Sequence, residues 1–242
     1  MSTDLPVLVF LHYFGGAARS WQWVMERLAN DHRCVALNLP GFGGTDPLNS
    51  PSIAGMANYV RQETERLGLA DFTLLGHSMG GKIALQVAAD DAPRDQRVRQ
   101  LILIAPSPPT VERMPEDEKE RMLHHPDRDE AETTVENATR QTLSAECRTV
   151  AVETQLEIDE ATWRWWLQKG MNHSIADQVG QINIPITVLA SDDDPVIDRE
   201  TIQQEVMKVL PEANLIRTQG VGHLLPLEDP EWVAGQIRRV GQ

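Results

Sequence analysis

The pentapeptide GHSMG at residues 76–80 constrains the fold of this chain more than any other feature, because it directly follows the apolar run FTLL at 72–75. A serine with glycines two residues away on either side is typical of a sharp strand-to-helix turn that holds a nucleophilic hydroxyl above a sheet. Glycine suits both positions because the backbone turns tightly and neighbouring elements pass close by. The spacing predicts a buried strand before Ser78 and a helix that begins at Met79.

Three consecutive aspartates, Asp192, Asp193 and Asp194, follow the apolar stretch ITVLA at 186–190. Such a stretch is typical of a buried strand in a parallel sheet, so at least one carboxylate leaves the sheet at its carboxyl edge. Open α/β sheets bind ligands at that edge. Each of the three aspartates is therefore a candidate acid for a site near Ser78.

A histidine in a glycine-containing loop lies closer to the C-terminus. The strand candidate NLIR at 214–217 is followed by GVGH at 220–223, where the glycines leave the loop free to bring His223 toward Ser78. Serine, acid and histidine then occur in the chain order that a nucleophile-elbow hydrolase requires. The three segments together indicate nucleophilic catalysis by Ser78 with His223 as the base.

Two further segments extend this pattern, and nearly the whole chain resembles the α/β-hydrolase superfamily. LHYFGG at 11–16 is similar to the family's oxyanion loop, and NLPGFGGTD at 38–46 is similar to its next strand end and turn. GHLLPLE at 222–228 resembles its histidine loop. The resemblance implies an α/β fold, with a mostly parallel sheet flanked by helices, a helical lid insertion and serine hydrolase activity.

The resemblance also implies the members of a catalytic triad. Ser78 is the expected nucleophile and His223 the expected base. The family usually carries a glycine where this chain has Ser191, and its acid follows three residues later. That alignment favours Asp194 as the acid, with Asp193 as the alternative.

An oxyanion hole needs two backbone N–H groups aimed at the developing negative charge. The residue after the nucleophile, Met79, supplies one in this fold. The resemblance implies that Phe14, two residues after His12, supplies the other, while His12 itself is a structural hydrogen-bonding residue. Tyr13 stands where the family usually has glycine, so it is a candidate pocket residue whose phenol approaches the reacting carbonyl, with simple packing as the alternative.

Alternating strand and helix patterns predict a doubly wound sheet of about six parallel strands. The strand candidates are residues 7–11, 33–37, 72–75, 101–105, 186–190 and 215–217. The helix candidates between them are residues 20–30, 52–67, 79–90, 199–210 and 230–240. We expect one core domain, 1–105 together with 181–242, with a helical lid at 106–180.

The expected lid contains four amphipathic helical patterns with no strand between them, at residues 112–123, 128–143, 144–157 and 159–169. At helical spacing Trp163 and Trp166 share a face, whereas Trp165 points elsewhere. Two interpretations remain open for that face. Either it attaches the lid to the sheet, or it lines the substrate pocket and favours an apolar or aromatic substrate.

Charge and hydropathy exclude several classes of partner. The formal charge of −14, from 36 acidic and 22 basic residues, repels nucleic acid and anionic membranes. No segment approaches the roughly 20 apolar residues of a membrane span, and the N-terminus carries Asp4 rather than the basic stretch of a signal peptide. We expect a soluble cytoplasmic protein, either a monomer or a homodimer.

Cysteine and histidine usage argues against disulfides and metals. Cys34 and Cys147 form no compact framework, so we expect reduced thiols, with Cys34 buried in a strand. His124 and His125 have no partner at ligand spacing, which predicts a solvated loop. We therefore expect no metal and no cofactor.

These observations favour a carboxylesterase that acts on a small or medium ester with an apolar portion. One alternative is a carbon–carbon bond hydrolase or lyase that uses the same triad, which requires lid arginines to grip a substrate carboxylate. The available lid arginines are Arg113, Arg121, Arg128, Arg140, Arg148 and Arg164. The other alternative is a non-catalytic ligand-binding receptor on the same fold, although a pure binder has no need of the complete triad.

Overall fold

Six parallel strands form a single sheet in the computed structural model, which describes residues 5–241. Asp4, and with it residues 1–4 and 242 of the expected core domain, lies outside the described residues. The strands are β1 (Val7–Leu11), β2 (Arg33–Leu37), β3 (Phe72–His77), β4 (Val98–Ile104), β5 (Ile186–Ser191) and β6 (Asn214–Thr218). All six overlap the predicted strands, so the α/β sheet is confirmed.

The sheet order β2-β1-β3-β4-β5-β6 brings the carboxyl ends of four strands together. Leu11 of β1 pairs with Gly76 of β3, and Ile104 of β4 pairs with both His77 of β3 and Leu189 of β5. The chain reverses its direction of winding between β1 and β3, which is where open α/β sheets form a ligand crevice. The loops after these strands therefore face one another across the same edge.

The helices with α geometry cover both faces of the sheet and one end. They are α1 (Gln22–Leu28), α2 (Ile53–Arg66), α3 (Met79–Asp91), α4 (Glu116–Met122), α5 (Arg128–Ala138), α6 (Ala145–Leu156), α7 (Glu160–Trp165), α8 (Ala176–Val179), α9 (Arg199–Thr201), α10 (Leu225–Glu228) and α11 (Pro230–Val240). A 3-10 turn precedes α1 at Ala18–Trp21. Two π-helical turns extend helices, at Trp166–Gly170 after α7 and at Ile202–Val206 after α9.

Two apolar layers hold the helices to the sheet, because successive strand residues point to opposite faces. On one face, Val9 and Leu11 of β1 belong to a cluster with buried side chains of α2 and α3. On the other face, Leu8 and Phe10 belong to a cluster with α1 and α11. The alternation along β1 therefore places helices on both sides of the sheet, as in a doubly wound fold.

Helices α4 to α8 all lie between β4 and β5, in a stretch that we call the inserted segment (residues 106–180). Two of its helices differ from the sequence prediction. The helix predicted from residue 112 begins only at Glu116, directly after Pro115. The helix predicted to reach residue 143 ends at Ala138, where the backbone becomes extended at Thr139 and the Ala138 carbonyl accepts a hydrogen bond from His223 N–H. A long-range contact, which no local pattern encodes, ends this helix.

The two cysteines are free, but their burial differs from the expectation. Cys147 is buried in α6, whereas Cys34 on strand β2 is only half-buried. Strand β2 lies at the edge of the sheet, so its side chains are less covered than those of the central strands. Burial raises the pKa of the Cys34 thiol to about 11, which keeps the thiol protonated at neutral pH.

Candidate active site

Ser78 lies on a strained turn between β3 and α3. Its φ of 52° and ψ of −119° are costly for a residue with a side chain, and such strain persists only where the surrounding structure enforces it. A Cβ atom at Gly76 would lie 2.3 Å from the Gly80 carbonyl oxygen, and one at Gly80 would lie 2.6 Å from the His12 carbonyl oxygen. Both glycines of the pentapeptide are therefore required by close backbone approach.

The structure brings Ser78, His223 and Asp194 into one hydrogen-bonded chain. His223 Nε2 lies 2.9 Å from Ser78 Oγ, and His223 Nδ1 lies 2.8 Å from Asp194 Oδ2. The other carboxylate oxygen of Asp194 accepts hydrogen bonds from the backbone N–H groups of Val196 and Ile197. All three side chains are buried, so the chain of hydrogen bonds is shielded from water.

The environment of His223 favours its protonated form. Burial alone lowers the pKa of the imidazole, but the charge of Asp194 and the hydrogen bond to it outweigh burial, and the net pKa is raised above its ordinary value. A histidine with this property can take a proton from Ser78 because the resulting imidazolium is stabilised by Asp194. The geometry is that of a nucleophile, a base and an orienting acid.

The other two aspartates of the run hold the loops in place. Asp193 accepts a hydrogen bond from the N–H of Gly220, and Asp192 forms an ion pair with Arg217 of β6. Ser191 Oγ donates to the carbonyl of Val221, which joins the end of β5 to the histidine loop. Neither Asp192 nor Asp193 contacts His223.

The backbone N–H groups of Phe14 and Met79 are both available at the site. Within residues 5–241, neither N–H donates a hydrogen bond to a protein acceptor. Met79 is the first residue of α3, where N–H groups have no intrahelical partner. Phe14 lies in the loop after β1 and lines the same cavity as Ser78. Two unused donors beside the nucleophile are what an oxyanion hole requires.

His12 and Tyr13 occupy packed positions in the loop after β1. His12 Nε2 accepts from the Leu39 N–H, its Nδ1 lies 2.8 Å from the Tyr13 carbonyl oxygen, and burial lowers its pKa to about 4. Tyr13 lines the cavity, with its ring packed on His77 at 5.1 Å between centroids. Its hydroxyl lies beside Thr154 and Ser20 and makes no hydrogen bond within residues 5–241. The approach of the phenol to the reacting carbonyl stays a prediction.

A cavity of about 360 Å³ opens above Ser78, between the sheet edge and the inserted segment. Its lining is mainly apolar and includes Phe14, Met114, Met122, Val135, Trp163 and Trp166. Trp163 stacks on Phe14 with ring centroids 4.2 Å apart. The tryptophan face thus both attaches the inserted segment to the loop after β1 and lines the cavity, so the two interpretations describe the same contact.

The prediction of a solvated loop at the histidine pair is wrong for His125. His124 is 72% exposed, but His125 is buried and stacks on Trp163 at 4.3 Å between centroids. Its Nε2 lies 3.0 Å from the Ile158 carbonyl oxygen. His125 points inward because Trp163 offers a flat apolar partner. The two residues are 38 positions apart in the chain, so local sequence patterns do not reveal this contact.

Sequence analysis missed three buried polar residues near Ser78. Lys82 of α3 donates from Nζ to the carbonyls of Thr110, Met171 and His173. His77 Nε2 lies 2.8 Å from the His223 carbonyl oxygen, and burial holds its pKa well below the usual range, so it stays neutral and donates this hydrogen bond. Glu112 lines the cavity.

Only one of these residues has a signal in the sequence. Lys82 directly precedes the largely apolar run IALQVAA of α3, and a lysine at the start of such a buried helix indicates a buried charge with a partner. Glu112 stands in a polar stretch, where exposure is the ordinary expectation. His77 is part of the pentapeptide but carries no separate signal there.

The arginines of the inserted segment mostly form ion pairs within that segment. Arg121 pairs with Glu118 and Glu130, and Arg128 pairs with Glu153. Arg148 and Arg164 likewise have glutamate partners. Arg113 is the arginine that lines the cavity.

Residues 5–241 contain neither a cluster of metal-ligand side chains nor a membrane-spanning helix. In residues 5–241, no three His, Cys, Asp or Glu side chains lie together as metal ligands would. In the same residues, the helices are too short or too polar to cross a membrane.

Known proteins resemble this chain in sequence and in fold. Residues 8–236 match the profile of the family described as "Alpha/beta hydrolase family". An esterase from Exiguobacterium antarcticum superposes with a TM-score of 0.87 at 17% identity and covers 98% of this chain and 92% of its own. A carboxylesterase from Bacillus subtilis superposes with a TM-score of 0.83 at 18% identity, over 98% of this chain and 84% of its own. These likenesses show the α/β-hydrolase fold.

Curated relatives match over shorter segments and have diverse activities. A segment of 100 residues is 39% identical to the dihydrolipoyllysine-residue acetyltransferase component of an acetoin cleaving system from Cupriavidus necator, over 41% of this chain and 26% of that protein. A segment of 84 residues is 36% identical to 2-succinyl-6-hydroxy-2,4-cyclohexadiene-1-carboxylate synthase from Escherichia coli, over 35% of this chain and 33% of that protein. The matches thus span about a quarter to a third of the length of these relatives.

Proposed function

This chain belongs to the alpha/beta hydrolase family, and on that basis we propose that it is a serine hydrolase of the carboxylesterase type, acting on small or medium esters with an apolar portion. The observation that carries the proposal is the buried chain of hydrogen bonds from Ser78 through His223 to Asp194. It opens onto a mainly apolar cavity. In this proposal residues 106–180 are the lid, and residues 1–105 and 181–242 are the core domain.

The first half of the proposed mechanism makes an acyl-enzyme. Ser78 Oγ attacks the ester carbonyl carbon while its proton passes to His223 Nε2, and Asp194 stabilises the imidazolium. The carbonyl oxygen becomes an oxyanion that accepts hydrogen bonds from the N–H groups of Phe14 and Met79. The carbon–oxygen bond to the alcohol then breaks, and the alcohol leaves with the proton from His223.

The second half hydrolyses the acyl-enzyme. His223 removes a proton from a water molecule, which attacks the acyl carbon, and the same two N–H groups stabilise the second oxyanion. The bond to Ser78 Oγ breaks, and His223 returns the proton to that oxygen. The cycle releases one alcohol and one acid and needs no cofactor.

The lid arginines favour an ester over a substrate gripped by its carboxylate. Arg121, Arg128, Arg148 and Arg164 are already paired with glutamates of the inserted segment. An anionic substrate would have to compete with these ion pairs or depend on Arg113 alone. The mainly apolar lining of the cavity suits the uncharged portion of an ester instead.

A carbon–carbon bond hydrolase or lyase is the second candidate, because Arg113 does line the cavity. The segmental similarity to 2-succinyl-6-hydroxy-2,4-cyclohexadiene-1-carboxylate synthase supports the same candidate. A receptor without turnover is the third candidate, and the complete triad argues against it. These candidates differ in one measurable property, which is whether the protein turns over simple esters through Ser78.

The deciding experiment measures hydrolysis of p-nitrophenyl acetate, butyrate and octanoate by the wild type and Ser78→Ala, with intact mass after treatment with a fluorophosphonate. We expect ester turnover and a covalent adduct in the wild type, and neither in Ser78→Ala. An adduct without turnover would replace the esterase proposal with a lyase, carbon–carbon hydrolase or receptor. If the wild type shows neither an adduct nor turnover, the hypothesis of a reactive Ser78 is rejected altogether.

A further inference from the structure

Glu112 is a buried carboxyl group on the wall of the cavity that holds Ser78. Its side chain lines this cavity, yet the residue is only 6% exposed. Its Oε2 has no hydrogen-bond partner within residues 5–241. A buried polar atom without a partner is costly, and native proteins retain few of them. An unpartnered carboxyl oxygen inside a binding cavity therefore points to a ligand that supplies the missing partner.

The backbone around Glu112 is rigidly held. The Glu112 N–H donates to the Met171 carbonyl, and Lys82 Nζ donates to that carbonyl and to the carbonyl of Thr110, two residues earlier. Lys82 is itself fully buried, with its Nζ 6.0 Å from the centre of the Trp166 ring. The backbone that carries Glu112 is thus held from both sides.

The groups around Glu112 define which partner it can accept. Ser107 lies beside it, and its hydroxyl also makes no hydrogen bond within residues 5–241. Burial raises the pKa of the Glu112 carboxyl, and the neighbouring Ser107 hydroxyl and the charges of Lys82 and His223 lower it only in part. The negative charge of Asp194 also raises the pKa of Glu112. The negative charge of Asp194 disfavours an anionic partner, and the nearby Lys82 disfavours a cationic one.

We propose that Glu112 is a specificity-determining residue that accepts a hydrogen bond from a hydroxyl group on the substrate, within a mainly apolar pocket. The proposal deepens the esterase function and rests on it. It assigns the natural substrate to the class of hydroxyl-bearing esters. Glu112 takes no part in proton transfer, because the triad already accounts for every proton moved. Its effect is on which ester binds productively over Ser78.

Matched ester pairs test this proposal, because a hydroxyl and a methyl group are nearly the same size. Ethyl 3-hydroxybutanoate and ethyl 3-methylbutanoate probe the acyl side, and 3-hydroxypropyl butyrate and butyl butyrate probe the alcohol side. The measured quantity is the ratio of kcat/KM for the hydroxyl ester to that for the methyl ester. We expect Glu112→Leu to lower this ratio about 10- to 100-fold in one of the two pairs, mainly by slowing the hydroxyl ester.

Two variants serve as controls. Glu112→Gln keeps an acceptor oxygen at the same place, so most of the preference for the hydroxyl ester should survive. Glu112→Met also removes the acceptor and keeps a side chain of similar length, so it replaces the leucine variant if the latter does not fold. Glu116→Gln removes an exposed charge four residues away, and its ratio should equal that of the wild type. Unchanged ratios in both ester pairs for Glu112→Leu, or for Glu112→Met in its place, would overturn the proposal.

A second readout separates failure of this proposal from failure of the esterase function. Rates of covalent labelling of Ser78 are measured for two alkyl fluorophosphonates whose chains end in hydroxyl or methyl. If no ester is hydrolysed but labelling occurs, the esterase proposal fails, and a hydroxyl preference lost in Glu112→Leu still supports the role of Glu112. If labelling occurs without any such preference, the role of Glu112 is rejected. If neither labelling nor turnover occurs, both proposals are rejected.

Discussion

The sheet edge and the inserted segment position their side chains by different means. At the sheet edge, Ser78, Asp194 and His223 each follow a strand, and the parallel ladder of backbone hydrogen bonds brings those strand ends together. Within residues 5–241, no such ladder joins the inserted segment to the core. Its attachment depends on individual side-chain contacts, such as Trp163 stacked on Phe14, Lys82 Nζ bound to three carbonyls and Thr154 Oγ1 bound to the Gly15 carbonyl.

Because the two regions are held by different kinds of contact, the catalytic groups and the substrate specificity can change independently. The reacting groups are held by a repetitive backbone pattern that tolerates variation in most side chains. The pocket wall is held by a few side chains, so a single substitution there can reshape it. The histidine loop also contacts the inserted segment: the N–H of His223 donates to the Ala138 carbonyl, and Glu228 accepts from the N–H groups of Gly222, Arg140 and Gln141.

Removal of the base gives the largest effect and tests the sheet edge. His223→Ala should lower kcat for p-nitrophenyl butyrate about 10⁶-fold, as in comparable triads, because Ser78 loses its proton acceptor. The fold should persist, since the loop is held by backbone hydrogen bonds that alanine keeps. Steady-state kinetics and a thermal melt check both statements, and residual activity above about 1% would contradict the role of His223.

Substitutions of the two neighbouring aspartates should differ sharply in their effect on kcat. Asp194→Asn should lower kcat about 10⁴-fold, because the imidazole loses its orientation and the charge that stabilises its protonated form. Asp193→Asn should change kcat by less than about threefold, since Asp193 only accepts from Gly220 N–H. Similar losses in both variants would contradict the assignment of Asp194.

The hydrogen-bonded pair of His223 and Asp194 predicts the pH dependence of kcat/KM. The raised pKa of His223 places the acid limb of the wild-type profile above about 6.5, and activity falls below that limb because protonated His223 cannot act as a base. In Asp194→Asn the raising effect is lost while burial still lowers the pKa, so the limb should move to lower pH. A limb that stays in place or moves upward would contradict this origin of the shift.

Trp163 tests how far the pocket wall supports the whole protein. Trp163→Ala removes its stacking on Phe14 and His125 and its Nε1 hydrogen bond to the Met122 carbonyl. We expect about 3–5 kcal/mol lower free energy of unfolding by urea denaturation, and a shift of the preferred acyl chain to greater length. Trp165→Ala is the matched control, because Trp165 is only half-buried and does not line the cavity.

Lys82 tests whether the inserted segment can loosen while the sheet stays intact. Lys82→Met keeps the chain length but removes a donor from three carbonyls, of which, among the described residues, only that of Met171 keeps another donor, the Glu112 N–H, and this should cost about 2–3 kcal/mol of stability. Hydrogen exchange should accelerate around residues 106–112 and 170–175 and remain slow in β1, β3 and β4. Uniform acceleration across all strands would mean that the two regions unfold as one unit.

Tyr13 gives the smallest expected effect. Its hydroxyl is buried without a hydrogen-bond partner and lies beside Thr154, so Tyr13→Phe should change the free energy of unfolding by less than about 1 kcal/mol and kcat by less than about twofold. Kinetics and urea denaturation measure both. A loss of kcat greater than about tenfold would support the hypothesis that the phenol contacts the reacting carbonyl.

Much of the fold and the candidate site could be predicted because the signals are local. Apolar runs mark strands, and glycines at 76 and 80 mark the turn, since close backbone approach excludes a Cβ atom there. Strand ends then place Ser78, Asp194 and His223 at one edge, where the structure finds them within hydrogen-bonding distance. The division of the chain into core and lid remains a prediction.

The polar interior of the inserted segment could not be predicted in the same way. His125 was expected in solvent and is buried against Trp163, and the helix α5 ends five residues before its predicted end because His223 N–H takes the Ala138 carbonyl. Glu112 lies in a polar stretch with no signal of burial, and it lines the cavity. In each case the partner is distant in sequence, so periodicity along the chain carries no information about it.

The sequence by itself determined the parallel sheet, the strained turn at Ser78 and the chain order of serine, acid and histidine, because backbone sterics and hydrophobic periodicity act within a few residues. Only the tertiary structure decided which polar side chains face the cavity, since that depends on how the helices of residues 106–180 pack over the sheet edge. Packing joins Lys82 to three carbonyls and leaves Glu112 Oε2 without a hydrogen bond within residues 5–241. Local sequence patterns therefore specify the reactive groups, whereas contacts between distant segments determine the selectivity.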